Sequence, residues 1–192
     1  MRRQSNASPR TPFVLAVVTA LAGCYHGTAR MVSPGDLGRD RGWVVVDGLR
    51  LIRQTADRDC GAAALAMMLQ HWSVPASADE ILRAVHVESG HGIAVGALRD
   101  FARQKGRAAF VIKGELADLV SEVGLNRPVL VGLVQRVGNR ALSHYEVVAG
   151  INQTTRHVLL LDPARGLRED GFDGFAAEWD RAGRPTLVIV PS

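Results

Sequence analysis

The stretch from Cys60 to Trp72 constrains the fold of this chain more than any other part of its sequence. It reads Cys-Gly-Ala-Ala-Ala-Leu-Ala-Met-Met-Leu-Gln-His-Trp, and nearly all of these residues are good helix formers. The stretch therefore predicts a strong helix that begins at Cys60, early in the chain.

The pattern changes from helical to extended near residue 107. Apolar spacing and a capping box at Ser77 to Glu80 predict further helices over 77–85, 95–105, 115–123 and 172–179. Runs rich in Val, Leu and Ile predict strands over 107–112, 128–135, 144–152, 156–161 and 186–190. Two shorter extended runs, 43–46 and 49–52, flank an Asp-Gly turn. Helices first and antiparallel strands later are typical of the α+β class.

The first 24 residues resemble a targeting segment. Three arginines precede a short apolar run over 13–23, which is far below the roughly 20 residues that a membrane-spanning helix needs. The run ends Leu-Ala-Gly-Cys, which resembles the bacterial lipoprotein box and predicts a signal peptide over 1–23 and a lipid on Cys24. The alternative is an ordinary secretory signal that contains a cysteine.

The predicted anchor divides the chain into a leader, a tether and one domain. Residues 24–42 lack periodicity and predict a flexible tether, and residues 43–192 predict a single domain. A lipid would hold the domain on the cell envelope, facing an extracytoplasmic space. Tyr25 after the cysteine favours the outer membrane.

Charge and motifs argue against nucleic-acid and nucleotide partners. The formal net charge is +4, but three arginines of the leader contribute to it, and removing these three positive charges leaves +1. A nearly neutral domain lacks the basic surface that phosphate backbones require. Gly90 and Gly92 precede no phosphate-loop Lys-Ser/Thr.

Cys60 is the candidate nucleophile. The chain has two cysteines, so lipidation of Cys24 would leave Cys60 without a disulfide partner. At the start of a helix, free N–H groups and the helix dipole favour a thiolate. Gln54, six residues upstream, is a candidate donor to an oxyanion together with the Cys60 N–H. The alternatives are a small apolar residue beginning a core helix and a solvated loop glutamine.

His144 and Asp162 are the candidate base and its orienting acid. If strands 144–152 and 156–161 form a hairpin, both residues lie at the same edge of the sheet. The carboxylate would then accept a hydrogen bond from His144 Nδ1 and support the imidazolium. Taken separately, each residue is more often found in an ordinary structural role, His144 as a strand-end histidine and Asp162 in an Asp-Pro turn. By strand alternation, Glu146 shares a face with His144. It is a candidate for contact with the base or the substrate, and the alternative is that it is simply exposed.

These residues together resemble a known family. The Gln54-x5-Cys60 spacing, the helix from Asp59, His-Tyr-Glu-Val-Val from His144 and Leu-Asp-Pro-Ala ending at Ala164 are similar to the bacteriocin-processing peptidases, cysteine peptidase family thirty-nine. The resemblance covers residues 54–179. It implies a papain-like fold with Cys60 as nucleophile, His144 as general acid and base, Asp162 as orienting residue and Gln54 in the oxyanion hole.

The resemblance also implies a substrate class, with two departures. Family members cleave leader peptides after a double glycine, usually as the N-terminal domain of an exporter, whereas this chain is predicted to carry a lipoprotein leader. Glu146 stands where the family has an apolar residue. Asp59, Gly61 and Glu146 are the candidate substrate-binding residues.

The sequence as a whole predicts a papain-like α+β cysteine peptidase that hydrolyses a peptide bond through a thioester at Cys60. The histidines lack the spacing of a zinc site, so we expect neither a metal nor a cofactor. Two alternatives stay open. One is a catalytically dormant peptide-binding module, and the other is an acyl transferase of the same fold.

Overall fold

The computed structural model describes residues 27–88 and 92–191 of the chain. The predicted signal peptide and Cys24 lie outside the described residues. The helices in this part of the chain are α1 (Cys60–His71), α2 (Ala78–Ala84), α3 (Val95–Gln104), α4 (Leu116–Gly124) and α5 (Phe172–Arg181). The strands in the same part are β1 (Arg30–Met31), β2 (Trp43–Val45), β3 (Val87–Glu88), β4 (Gly92–Ile93), β5 (Ala108–Lys113), β6 (Val129–Val137), β7 (Arg140–Asn152), β8 (His157–Asp162), β9 (Gly166–Gly171) and β10 (Pro185–Val190).

One large antiparallel sheet dominates the described residues. Its strands lie in the order β1-β9-β8-β7-β6-β10-β5, and β2 also pairs with β7. Three consecutive hairpins join β6 to β7, β7 to β8 and β8 to β9. The strand order therefore brings β6, β7, β8 and β9 side by side, which matters for the site described below.

The sheet separates two hydrophobic clusters, because alternate residues of each strand point to opposite faces. One cluster packs α1, α2 and α3 against residues such as Val147, Leu159 and Leu187. The other packs α4 and α5 against the strand residues that follow these in sequence, such as Val148 and Val188. Helices on both faces of an antiparallel sheet confirm the predicted α+β class.

Helix α1 is the centre of the first cluster. Every residue from Cys60 to Leu69 is buried, which is the environment expected of a helix that is apolar all round. The predicted helix is thus confirmed. The side chain of Ser77 caps α2 by accepting a hydrogen bond from the N–H of Glu80 at 3.1 Å, as the capping box predicted.

Several stretches differ from the prediction, among them residues 49–52 and strand β9. Residues 49–52 form no strand, since the following residues are held by the turn after β8 through Gln54 N to Pro163 O (3.1 Å) and Arg53 Nη1 to Ala164 O (2.8 Å). Strand β9 was not predicted. Its buried residues are Gly166, Arg168 and Asp170, so it shows no alternation of apolar residues.

The described part of the predicted tether is packed against the domain. Arg30 and Met31 pair with β9, and Thr28 Oγ1 donates to the buried Asp170 Oδ1 at 2.6 Å. Two short 3-10 helices follow, Pro34–Asp36 and Arg39–Arg41. Residues 28–41 therefore differ from the flexible segment that was predicted, because polar groups of β9 hold their beginning in place.

None of the helices formed by residues 27–88 and 92–191 is both long and apolar enough to cross a bilayer.

Candidate active site

Cys60 lies at the first position of α1, at the floor of a cleft. Its side chain is buried, with 6% of the residue exposed. The cleft has a volume of about 930 Å³, and its lining includes Gln54, Cys60, His144 and residues of the β6–β7 hairpin. The backbone N–H groups of a first helical turn have no partner within the helix, so the Cys60 sulfur lies beside free donors.

His144 and Asp162 meet at one edge of the sheet, as the predicted hairpin requires. The pairing of β7 with β8 places Val147 opposite Leu161. Glu146 precedes Val147 and Asp162 follows Leu161, so both carboxylates lie at this edge. His144 Nε2 lies 2.8 Å from Asp162 Oδ1. The predicted contact is present, but through Nε2 rather than Nδ1, so that Nδ1 is the ring nitrogen left for Cys60.

The charge state of His144 is controlled by its neighbours. Burial lowers the pKa of the imidazole, but hydrogen bonds to Asp162 and Cys60 and the negative charge of Glu146 outweigh burial, and they raise the pKa to about 10. An imidazole with this pKa carries a proton at neutral pH. Cys60 is among the groups that raise this pKa, so the site favours an imidazolium beside the sulfur.

Asp162 is fixed by four hydrogen bonds. Its Oδ1 accepts from His144 and from the N–H of Ala164 (2.7 Å). Its Oδ2 accepts from Arg168 Nη1 (2.7 Å) and Arg165 Nη1 (3.2 Å). Burial raises the pKa of this carboxyl, but the bonds to His144 and Arg168 outweigh burial and hold the pKa well below its usual range. Asp162 is therefore a charged, immobilised acceptor for the histidine.

Gln54 lines the same cleft as Cys60. Its side-chain Nε2 donates to Ala56 O at 3.0 Å, and an amide NH₂ has a second hydrogen. Its Oε1 is buried, with no hydrogen-bond partner in the described part of the chain. The structure thus places Gln54 in the cleft that Cys60 also lines, and its role as an oxyanion donor stays a prediction.

The three candidate substrate-binding residues do not line this cleft. Asp59 Oδ2 accepts from Thr55 Oγ1 at 2.7 Å, within the loop before α1. Gly61 has a packing role, because a Cβ there would lie 3.0 Å from the ring of Tyr145. Glu146 is completely buried. The interpretation of Glu146 as an exposed residue is corrected, since its side chain is buried against Gln135 of β6 and Arg168 of β9.

Glu146 belongs to a closed set of hydrogen bonds, here called the ring, formed by Gln135, Glu146, Asp162, Arg165 and Arg168. Glu146 Oε1 accepts from Gln135 Nε2 (2.6 Å) and Arg168 Nη1 (3.1 Å). Gln135 Oε1 accepts from Arg165 Nη1 (2.8 Å). Both arginines also donate to Asp162, which closes the ring.

Three members of the ring were missed by sequence reasoning. Gln135, Arg165 and Arg168 come from β6, the β8–β9 turn and β9, and they meet only because these elements are neighbours in the sheet. The available signal was Arg168, two residues after Gly166 and followed by Glu-Asp-Gly, in a segment that lacked any apolar pattern.

His144, Glu146 and Asp162 also have the spacing of a cation site. Their nitrogen and oxygen atoms lie within 4.8 Å of one another. However, the buried guanidinium of Arg168 already donates to both carboxylates. A metal ion would add positive charge beside Arg168 and a protonated His144, and like charges at this distance repel. The residues therefore suit an internal ion-pair network better than a metal.

A comparison with protein-family models identifies the domain. Residues 49–184 match the model of the peptidase C39 family, which covers more than half of the chain. The chain belongs to the peptidase C39 family. The resemblance found in the sequence is thus confirmed, and the chain is a cysteine peptidase by family.

Solved structures of C39 peptidases share the fold. A C39-like peptidase from Bacillus anthracis is 19% identical, with a TM-score of 0.65, and the match covers 78% of this chain and 98% of that one. The peptidase domain of Streptococcus ComA, a bifunctional ABC transporter involved in quorum sensing, is 22% identical, with a TM-score of 0.62 and coverage of 75% and 99%.

A third structure contains a bound peptide. It is a double-glycine-motif protease from an AMS/PCAT transporter in complex with the leader peptide, 20% identical, with a TM-score of 0.60 and coverage of 74% and 91%. No curated protein matches this C39 chain in a sequence comparison. At these identities the solved structures establish the papain-like fold of the chain.

Proposed function

We propose that this C39 family member hydrolyses peptide bonds through a thioester at Cys60, with His144 as general acid and base and Asp162 as the residue that orients the histidine. The observation that carries the proposal is the 2.8 Å contact between His144 Nε2 and Asp162 Oδ1, beside a cysteine at a helix start in a cleft.

Acylation would begin with attack of the Cys60 thiolate on the carbonyl carbon of the scissile bond. The imidazolium of His144 then donates its proton to the leaving amine nitrogen, the carbon–nitrogen bond breaks, and the acyl group remains on sulfur. Asp162 stays ionised throughout, because its four hydrogen bonds favour the carboxylate. It holds the imidazole of His144 so that Nδ1 faces the sulfur of Cys60.

The developing oxyanion would be stabilised by Gln54 and the backbone N–H of Cys60. The free hydrogen on Gln54 Nε2 and a first-turn N–H are two donors on the same side of the cleft. Water then attacks the thioester while His144 accepts a proton, which releases a carboxylic acid and restores the thiolate. Chemistry of this kind uses no metal and no cofactor.

The substrate that we propose is a peptide lying in the cleft of about 930 Å³. The neighbouring structure with a bound leader peptide supports this substrate class. A dormant peptide-binding module would have no need of Cys60, His144 and Asp162 together, so we favour catalysis. Product analysis in the presence of a competing peptide amine would separate hydrolysis from acyl transfer, because a transferase forms mainly the new amide and a hydrolase mainly the free acid.

We further propose that a lipid on Cys24 anchors the protein to the cell envelope, in the outer membrane, facing an extracytoplasmic space. The Leu-Ala-Gly-Cys sequence at residues 21–24 supports this proposal. Cys24→Ala is expected to move the protein from the membrane fraction to the soluble fraction and to prevent incorporation of labelled palmitate. The control is Cys60→Ala, which should keep both properties. A Cys24→Ala protein that still fractionates with membranes would contradict the anchor.

The first test of the catalytic pair is the rate at which iodoacetamide alkylates Cys60 at different pH values. An ordinary thiol is only about 1% thiolate at pH 6.5. We expect Cys60 to react at pH 6.5 at nearly its rate at pH 8.5, because the imidazolium of His144 stabilises the thiolate. Peptide mass spectrometry on the full chain reports the reaction at Cys60 separately from Cys24.

The matched variants are His144→Ala and His157→Ala. Loss of His144 should remove the reactivity at pH 6.5, and loss of His157, a histidine whose ring contacts Thr155 outside the site, should leave it unchanged. Reactivity at pH 6.5 that is as low in the natural protein as in His144→Ala would contradict the pair and favour the dormant module.

A further inference from the structure

We propose that Glu146 is a positioning residue for the His144–Asp162 pair, acting through the ring and through its own negative charge. This inference rests on the proposed function. It concerns a residue that makes no contact with the cleft and takes no part in the steps above.

The first argument is the closure of the ring. The Asp162 carboxylate that faces His144 through Oδ1 is held at Oδ2 by Arg168 and Arg165. Glu146 is the common acceptor that fixes Arg168 directly and, through Gln135, fixes Arg165. Removing the acceptor at Glu146 would leave both arginines with Asp162 as their remaining carboxylate partner in the ring.

The second argument is electrostatic. Glu146 Oε1 lies 3.9 Å from His144 Nε2, which is too long for a hydrogen bond but short for two charges. Both groups are almost completely removed from water, with 10% of the His144 side chain and none of the Glu146 side chain exposed. An opposite charge at this distance favours the protonated imidazole.

The third argument is the cost of burying this carboxyl. Its Oε2 is buried without a hydrogen-bond partner in the described residues, and such burial opposes folding. Buried ion pairs are also poor stabilisers compared with apolar side chains of similar size. Apolar residues in place of this whole buried network would therefore serve stability at least as well, so its retention at Glu146 indicates a role in the site.

The charge on Glu146 changes with pH. Burial and the charge of Asp162 raise the pKa of Glu146 to about 7, against the opposing influence of His144 on β7, Arg168 on β9 and the amide of Gln135 on β6. Glu146 is thus mostly neutral at pH 5.5 and mostly ionised at pH 9. A glutamine at this position imitates the neutral form and lacks the charged one.

The test compares Glu146→Gln with the natural protein at both ends of this range. Full chains labelled at histidine are titrated by NMR, and the His144 ring is assigned from its absence in His144→Ala. We expect the pKa of His144, about 10 in the natural protein, to fall by about one pH unit in Glu146→Gln. Alkylation of Cys60 at pH 5.5 should be the same within twofold.

Peptidase activity gives a second readout once a cleaved peptide is known. His144 must be protonated to act as the acid, and the loss of the negative charge lowers its pKa. The alkaline limb of kcat/KM should therefore move to lower pH in Glu146→Gln, with a roughly tenfold loss at high pH and little change at pH 5.5. Glu146→Asp, which keeps the charge, should recover part of this loss.

Glu122→Gln is the matched control. Glu122 on α4 is a partly buried glutamate with an arginine partner, Arg127 at 3.5 Å, and lies outside the site. If Glu146→Gln lowers thermal stability but His144 has the same pKa in Glu146→Gln as in Glu122→Gln, the proposal is overturned. If His144 of the natural protein titrates near 6.5, its ordinary value, the catalytic pair itself is absent and the proposed function fails first.

Discussion

Cys60→Ala is expected to lower peptidase activity by at least about 10⁴-fold, because no thioester can form without the thiol. The fold should survive the change. Cys60 is a small buried residue at the start of α1, and alanine is both smaller and a good helix former. Activity is measured by mass spectrometry of a peptide mixture after incubation with equal amounts of each protein, and folding is checked by thermal unfolding.

The control for this variant is Cys24→Ala, since Cys24 is the other cysteine of the chain. Its peptidase activity in detergent should equal that of the natural protein. Residual cleavage by Cys60→Ala within tenfold of the natural protein would show that Cys60 is not the nucleophile.

Arg168→Leu is expected to destabilise the protein by about 3–5 kcal/mol at pH 8. Arg168 is 2% exposed and is the buried cation between the carboxylates of Asp162 and Glu146. Leucine fills part of the space but leaves both carboxylates without this counter-charge. The free energy of unfolding is measured in urea, with the natural protein and the variant at the same pH.

The loss should become smaller at pH 5.5. The pKa of Glu146 is already raised by burial, and without Arg168 its carboxyl would take up a proton more readily, which removes one of the two negative charges that lost the guanidinium as a partner. Arg41→Leu is the control, because Arg41 pairs with Asp36 at the surface with both side chains 57% exposed. It should cost less than about 1 kcal/mol. Equal losses in the two variants would exclude a structural role of the buried cation.

The sequence was sufficient for the parts of the site that depend on local pattern. Helix α1 follows from its run of helix formers, and the meeting of His144 with Asp162 follows from the hairpin of β7 and β8. The shared face of His144 and Glu146 follows from strand alternation alone. The family assignment also came from these motifs, and the family model confirmed it.

The parts that the sequence did not predict depend on contacts between distant elements. Which imidazole nitrogen faces Asp162 depends on side-chain rotation, which strand pairing leaves open. Strand β9 could not be recognised because the residues that it buries include Arg168 and Asp170, whose burial is made favourable by partners on other strands and at Thr28. Strand order, rather than local pattern, creates the ring.

The attachment of the segment that begins at Thr28 to β9 limits the distance between the domain and the proposed lipid anchor. A flexible tether over 24–42 would have let the domain range roughly 60 Å from the bilayer. Thr28 and β1 are instead attached to β9, so the four residue steps from Cys24 to Thr28 span at most about 14 Å. The edge of the sheet at β1 and β9 would therefore be held close to the lipid headgroups. A peptidase held this close to the bilayer would cleave peptides at the membrane surface rather than peptides that diffuse freely in the surrounding space.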